Sequence, residues 1–431
     1  MPDHEVLVFR KVRRRLLPIL MLCYFGAFID RVNVGFAALS MNADLGFGPL
    51  VYGWGAGIFF IGYFLFEIPS NVLLERLGAR IWIARIMITW GIISMAMAAV
   101  RGPTSFFVLR FLLGVAEAGF YPGVVLYLTT WFPQEERARV MGWFTLANPI
   151  STVIGAPLSG FILSLGHLGG LRNWQWLFLV EGAPAVVLGG LVWLWLRDTP
   201  AQAAWLAPEE REVIARRVDL DRARRAIQRP LTLWEALTNP VVLGLGLVYF
   251  GCIAGNYGLS FWLPQLVKGF GLTDLQTGLV TALPYACGAV AMVAWGAHSD
   301  RTGERTWHVA LPLLLTGAAL LAASRVQGPV LAMALLCAAG VGVFANTPPF
   351  WTLPTALTTG RASAGAIALV NSIGNLSGFV APYLIGWIKV STGRISDGLM
   401  ALAALPLAAM ALTLWLQRGA AQRRLQAGTA P

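Results

Sequence analysis

The chain has 431 residues, 57% of them hydrophobic and only 12% charged, with 17 Trp and a net charge of +11. Soluble domains carry about 25% charged residues, so the composition excludes an ordinary soluble domain and reads as a polytopic membrane protein. The basic excess does not mark a nucleic-acid binder, because Lys and Arg fall in short clusters between apolar runs, as topology signals do.

A basic start, Arg10 to Arg15, leads into a first apolar span at 16–39. About 20 apolar residues cross a bilayer core as a helix. The run is too long for a signal peptide, contains Asp30 and Arg31, and lacks a small-residue cleavage site. It therefore reads as a retained first helix. Further spans follow at 50–73, 81–100, 104–131, 139–165, 173–196, 239–266, 275–297, 307–324, 328–353, 362–389 and 396–416. The only long polar segment, Asp198 to Leu233, separates the sixth from the seventh and reads as a cytosolic linker. The expected organisation is a six-helix bundle at 1–197, a central loop at 198–235 and a second bundle at 236–431. With the N-terminus inside, inner segments hold 24 of the 32 Lys and Arg, including Arg229 and Arg361, and outer loops hold 6. The positive-inside rule then puts both termini in the cytoplasm. Cys23, Cys252, Cys287 and Cys337 lie in apolar runs and read as small hydrophobes. The four His have no metal-ligand spacing and there is no nucleotide-binding loop, so no enzyme, metal or cofactor is expected.

The chain repeats itself. Glu75-Arg76, Gly78 and Arg80 after the second span recur as Asp300-Arg301, Gly303 and Arg305 after the eighth, at an offset of 225 residues. Asn148 and Pro157 are echoed by Asn371 and Pro382. Two duplicated six-helix halves are the mark of a transporter that rocks one bundle against the other around a site near the midplane. The expected fold is all-α, with twelve transmembrane helices in two pseudo-symmetric bundles.

The loop Gly296-x-x-x-Asp300-Arg301-x-Gly303-x-Arg305 resembles the signature of the major facilitator superfamily. Within it, FIDRVNVGFA, FEIPSN, LRFLLGVAEAGFYPG and NWQWLFLVEGAP resemble the anion:cation symporter family, which includes bacterial permeases for hydroxyphenylacetate, tartrate, phthalate, hexuronate and galactonate. The resemblance implies proton-driven symport of an organic carboxylate, with sodium coupling, exchange, a transporter-like sensor or a channel as alternatives. The implied partners are the small carboxylate, a proton as coupling ion and membrane lipid, with the protein a monomer.

Six ionisable side chains lie well inside spans: Asp30, Arg31, Glu67, Arg110, Glu117 and Glu181, all in the first half. A buried charge is a functional candidate by default. At about 1.5 Å per residue, Asp30 sits roughly 21 Å above the inner end of its helix, level with Arg110. Asp30 is therefore expected to pair with Arg110, leaving Arg31 to face a cavity and bind a substrate carboxylate through its planar fork. Glu117, two turns from Arg110, is the expected inner proton carrier. The family pattern of a helix 1 Asp-Arg and a helix 4 Arg-x6-Glu implies the same roles. Glu67 and Glu181 read as structural. Arg76, Arg80, Asp300, Arg301 and Arg305 are expected to latch the inner gate. Tyr63, Asn148, Tyr257, Trp351 and Asn371 are expected to line the substrate cavity, whereas Trp174, Trp193 and Trp195 read as interfacial or lipid-facing bulk. The stretch Gly114 to Gly123 reads as a site of close helix approach. Sugar-acid members of the family carry a Tyr and a Gln where this chain has Phe28 and Asn148, which points to a less hydroxylated substrate, an aromatic or small dicarboxylic acid.

Overall fold

A computed structural model describes residues 3–226, 233–354 and 364–428. Arg229 and Arg361 lie outside the described residues. Among the described residues twelve helical stretches are long and apolar enough to cross a membrane, at the positions expected from the apolar runs. In a bilayer every backbone N–H and C=O must be satisfied within the segment, which selects helices for these runs. The first half comprises α1 (Asp3–Leu45), α2 (Pro49–Leu77), α3 (Ala79–Ala96), α4 (Pro103–Glu117), α5 (Phe120–Trp131), α6 (Gln134–Ser164) and α7 (Asn173–Trp195). The short helices α8 (Pro208–Ala226) and α9 (Leu233–Thr238) follow. The second half comprises α10 (Pro240–Lys268), α11 (Asp274–Thr302), α12 (Thr306–Ala323), α13 (Pro329–Ala345), α14 (Thr347–Phe350), α15 (Ala364–Asn375), α16 (Ser377–Thr392) and α17 (Ile395–Gly428).

Two departures from the apolar pattern matter. Helix α1 begins at Asp3, well before the apolar run, because Lys and Arg are good helix formers and ion pairs hold the extension in place. Lys11 hydrogen-bonds Glu210 at 2.6 Å and Arg217 forms an ion pair with Glu5 at 2.6 Å, which fastens α8 to the start of α1. The hydrogen bond from Lys11 holds the Glu210 carboxyl below the usual Glu range. The second departure is that the fourth span is not one helix. It breaks after Glu117, where Ala118 is extended (ψ 132°) and Gly119 is left-handed at φ +84°.

The chain packs as two compact units. One holds Met1–Asn33, Ile61–Ser151 and Gln175–Arg229, and the other Val34–Phe60, Thr152–Trp174 and Pro230–Pro431. These units do not follow the duplicated halves. Val34–Phe60 and Thr152–Trp174, from the first half, pack with the second.

In the first unit Trp90, Phe106, Phe120, Tyr127 and Trp131 are fully buried. The second unit has a cluster of Leu245, Val248, Tyr249, Leu313, Phe350 and Val370, with its neighbours from α17. The exposed large apolar residues, among them Ile81, Val187, Trp193, Trp195, Val290 and Trp415, are what a lipid-facing surface requires. Trp174 is a correction to the lipid-facing reading. It is buried, and its Nε1 donates to Asp44 Oδ2 at 2.8 Å, a carboxylate that Arg172 also holds through Oδ1 at 2.8 Å.

Glycine explains how α6 reaches α11 inside the second unit. A Cβ on Gly278 would sit 2.3 Å from the Ala156 carbonyl oxygen, and one on Gly160 2.6 Å from that of Asp274. Backbone cannot yield as a flexible side chain would. Gly278→Val is expected to destabilise the protein by about 1–3 kcal/mol through overpacking, read as a lower melting temperature in detergent. Gly190→Val, where nothing lies within 4 Å, should leave it unchanged. Equal melting temperatures for the two variants would contradict this packing.

Candidate functional site

Four helices bring the buried charges of the first unit together. Asp30 and Arg31 are neighbours on α1, so their side chains point about 100° apart. Arg31 turns toward α4 and forms an ion pair with Glu117 through Nη2 and Oε1. Its guanidinium lies 5.1 Å from the Phe28 ring centre and 5.4 Å from that of Tyr63 on α2. Both rings favour a cation over their faces. The Glu117 carboxyl is completely buried, and among the described residues its Oε2 has no hydrogen-bond partner. Arg110, also fully buried, adds a positive charge near Glu117 from two turns away on the same helix.

Asp30 turns instead toward α3. Its Oδ2 accepts from Trp90 Nε1 at 2.6 Å and its Oδ1 from Ser94 Oγ at 2.8 Å, with Asn33 Nδ2 at 3.4 Å. This corrects two expectations. Asp30 is held by Trp90, Ser94 and Asn33, not by Arg110, and Arg31 is held by Glu117 instead of standing open to a cavity. Residue spacing gives depth along a helix but does not fix azimuth, and α3 supplies uncharged donors on the side Asp30 faces.

The helix break after Glu117 is built into the site. The Ala118 carbonyl, freed from the helix ladder, accepts from Ser70 Oγ at 2.6 Å, and Ser70 Oγ accepts from Trp82 Nε1 at 3.0 Å. A Cβ on residue 119 would meet Ser70 Oγ at 2.3 Å, so both the positive φ and the close approach require glycine. Broken helices of this kind occur at membrane depth only where their backbone groups find partners. The Gly114 to Gly123 stretch thus provides close approach and also ends a helix beside Glu117. Past the break, the Trp90 ring meets Phe120 edge-on at 5.5 Å, so α3 touches both Asp30 and the second half of the span.

The remaining candidates divide. In the second unit the Tyr257 hydroxyl donates to Asn375 Oδ1 at 3.2 Å, and its ring lies 4.4 Å from that of Phe60. Asn371 is buried on α15. A second polar group joins Ser260 Oγ and the Tyr285 hydroxyl at 2.9 Å. Trp351 is half-buried and packs on the apolar cluster against Tyr249 and Phe350, with ring centres 4.8 and 5.4 Å away. In the first unit Tyr63 stands beside Arg31, while Asn148 is half-buried on α6, where its backbone carbonyl accepts from Ser151 Oγ.

In the signature loops Arg80 is anchored twice. Its backbone N–H donates to Asp198 Oδ1 at 2.8 Å, and its Nε to the Trp193 carbonyl at 2.6 Å. The second copy closes on itself, with Arg305 Nη1 donating to Asp300 Oδ1 at 2.7 Å and to Ser299 Oγ at 2.8 Å. Arg76 and Arg301 are exposed. Sequence reasoning does not single out Asp198, Ser70, Trp82, Trp90, Ser94 or Asn33. For Asn33 the spacing of three residues from Asp30 on one helix is the available signal.

A family model described as Major Facilitator Superfamily matches residues 20–382. An Agrobacterium vitis protein named "Putative tartrate transporter" is 51% identical over 416 residues, covering 96% of this chain and 92% of its own length. A "Quinolone resistance transporter" from Acinetobacter baumannii is 42% identical, covering 95% of each chain. Among solved structures, the xylose transporter XylE from E. coli in a partially occluded inward-open conformation aligns with a TM-score of 0.73 at 14% identity, over 94% of this chain and 97% of its own. That last likeness concerns the fold.

Proposed function

Because this chain belongs to the major facilitator superfamily, we propose that it is a secondary active transporter that imports a small organic carboxylate by proton symport, with both termini in the cytoplasm of a bacterial inner membrane. It is a multi-pass membrane transporter and not an enzyme. By duplication, and not by packing, the chain divides into two six-helix halves, 1–197 and 236–431, joined by the loop at 198–235. The substrate class follows the tartrate-named relatives and the strong positive charge of Arg31.

The observation that carries this reading is the buried Arg31–Glu117 pair. Arg31 cannot give up its charge, whereas Glu117 can take a proton. When Glu117 is ionised it occupies the guanidinium. When it is protonated its charge disappears and Arg31 becomes available to a substrate carboxylate, whose planar oxygens the guanidinium fork matches. Proton and anion thus favour the same state of the site, which is the thermodynamic requirement for symport. Asp30 is the second carboxyl in this scheme, held off Arg31 by its bonds to α3.

The test is uptake of radiolabelled tartrate, with aromatic and aliphatic dicarboxylates in parallel, into proteoliposomes carrying the purified protein. Accumulation above equilibrium is expected when the interior is alkaline, without sodium. Accumulation that needs a sodium gradient, or that never exceeds equilibrium, would overturn proton symport. The quinolone-resistance relative makes export the competing direction, and reversing the pH gradient in the same vesicles reads it.

A further inference from the structure

We propose that Asp30 takes its proton on Oδ1 and that Asn33 is the positioning residue that receives the new O–H. The inference rests on the reading of Asp30 as a proton-coupling residue. The two oxygens of this carboxylate keep different company. Oδ2 faces the Trp90 Nε1–H at 2.6 Å, and an indole N–H can only donate. A proton placed on Oδ2 would weaken the acceptor that this donor uses, and Trp90 offers no acceptor for the new O–H. Oδ1 faces Ser94 Oγ at 2.8 Å and the Asn33 amide at 3.4 Å, and each of these groups holds an acceptor as well as a donor.

Asn33 is the informative member of the set. It is 1% exposed, its Nδ2 is turned to Asp30, and its Oδ1 has no hydrogen-bond partner among the described residues. Buried acceptors in folded proteins are paired in the great majority of cases, so an orphan invites a state in which it is used. Rotation of the amide about its last side-chain bond exchanges nitrogen for oxygen at Asp30. Before the rotation the carboxylate is served by Trp90, Ser94 and the Asn33 amide nitrogen; after it, the neutral acid donates its O–H to the Asn33 amide oxygen. The step adds one proton to one carboxylate oxygen and breaks no other bond. The charged group nearest this pocket is Glu117 on α4, ion-paired with Arg31 on α1 and with Arg110 near it. On α7, Gly182 packs on Ser94 and the buried Glu181 is its neighbour in sequence.

The arrangement makes two neighbours of Asp30 act in opposite senses. Ser94 serves the charged form most, since a hydrogen bond to an ionised acceptor is the stronger kind. Asn33 serves the neutral form most, because its contact with the carboxylate is long. Infrared spectroscopy of the full-length protein in lipid tests this by following, against pH, the protonated-carboxyl band that Asp30→Asn removes. In Asn33→Leu the pH at which that band is half-formed is expected to fall, and in Ser94→Ala to rise. Each displacement should be roughly three- to tenfold in proton concentration, the worth of about one hydrogen bond. Asn33→Ala carries the same expectation if the leucine variant does not reach the membrane. Displacement of both variants in one direction, or no displacement with Asn33 replaced, would overturn the inference while leaving Asp30 as a proton carrier. If no protonated-carboxyl band is lost in Asp30→Asn at any pH, Asp30 carries no proton, and the coupling role of Asp30 falls together with this inference.

Discussion

Arg31→Ala is expected to reduce carboxylate uptake roughly 30-fold or more while membrane abundance stays near that of the wild type. Truncating one partner of a buried charge pair costs about 2–5 kcal/mol, and about 1.4 kcal/mol is a factor of ten. In this site the loss falls on function because Glu117 has an escape that Arg31 lacks. A buried carboxyl left without its cation can take up a proton, so the variant folds with a neutral Glu117 but offers the substrate no guanidinium. Arg31→Lys keeps a positive charge for the Phe28 and Tyr63 rings but loses the fork. It is expected to transport with weakened apparent affinity. Uptake by Arg31→Ala at the wild-type rate, measured at matched membrane abundance, would show that the anion is held elsewhere.

Glu117→Gln separates movement of substrate from coupling. The amide occupies nearly the volume of the carboxyl but carries neither charge nor titratable proton. With the competing carboxylate gone, Arg31 is permanently available. Exchange of labelled for unlabelled substrate across the vesicle membrane should persist at a rate within a few-fold of wild type, whereas accumulation driven by a pH gradient should drop to the equilibrium level. Gradient-driven accumulation in Glu117→Gln would assign the coupled proton to another group. Exchange abolished along with accumulation would make Glu117 part of the substrate contact itself.

What the sequence makes legible follows from the strength of each physical constraint. The twelve spans are readable because the bilayer fixes both the length and the apolarity of a crossing helix. The membership of the charged site is readable for a related reason, since Asp30, Arg31, Arg110 and Glu117 are expensive wherever they lie in a span. The pairing is not readable. Residue spacing gives depth along a helix, but the facing of one helix toward another depends on packing, and there Trp90 and Ser94 decide the matter for Asp30. Both look like ordinary members of an apolar run. Trp174 misleads for the same reason, because its indole N–H only acquires meaning from Asp44, 130 residues away. The break after Glu117 is half-legible. Glycines announce close approach, but only the positive φ of Gly119 and the Ser70 bond to the Ala118 carbonyl reveal that a helix ends there. The meeting of Gly160 with Gly278 joins residues from different halves of the sequence, and nothing local announces it.

The central claim is that a proton on Glu117 and a carboxylate on Arg31 go together. Calorimetric titration of tartrate into the purified wild-type protein and into Glu117→Gln, at a series of pH values, tests it most directly. Wild-type affinity is predicted to strengthen as pH falls, and the Gln variant to hold its affinity near the acid-side level even at neutral pH. A Gln variant that binds no more tightly than wild type at neutral pH, and keeps the full wild-type dependence on pH, would contradict the account.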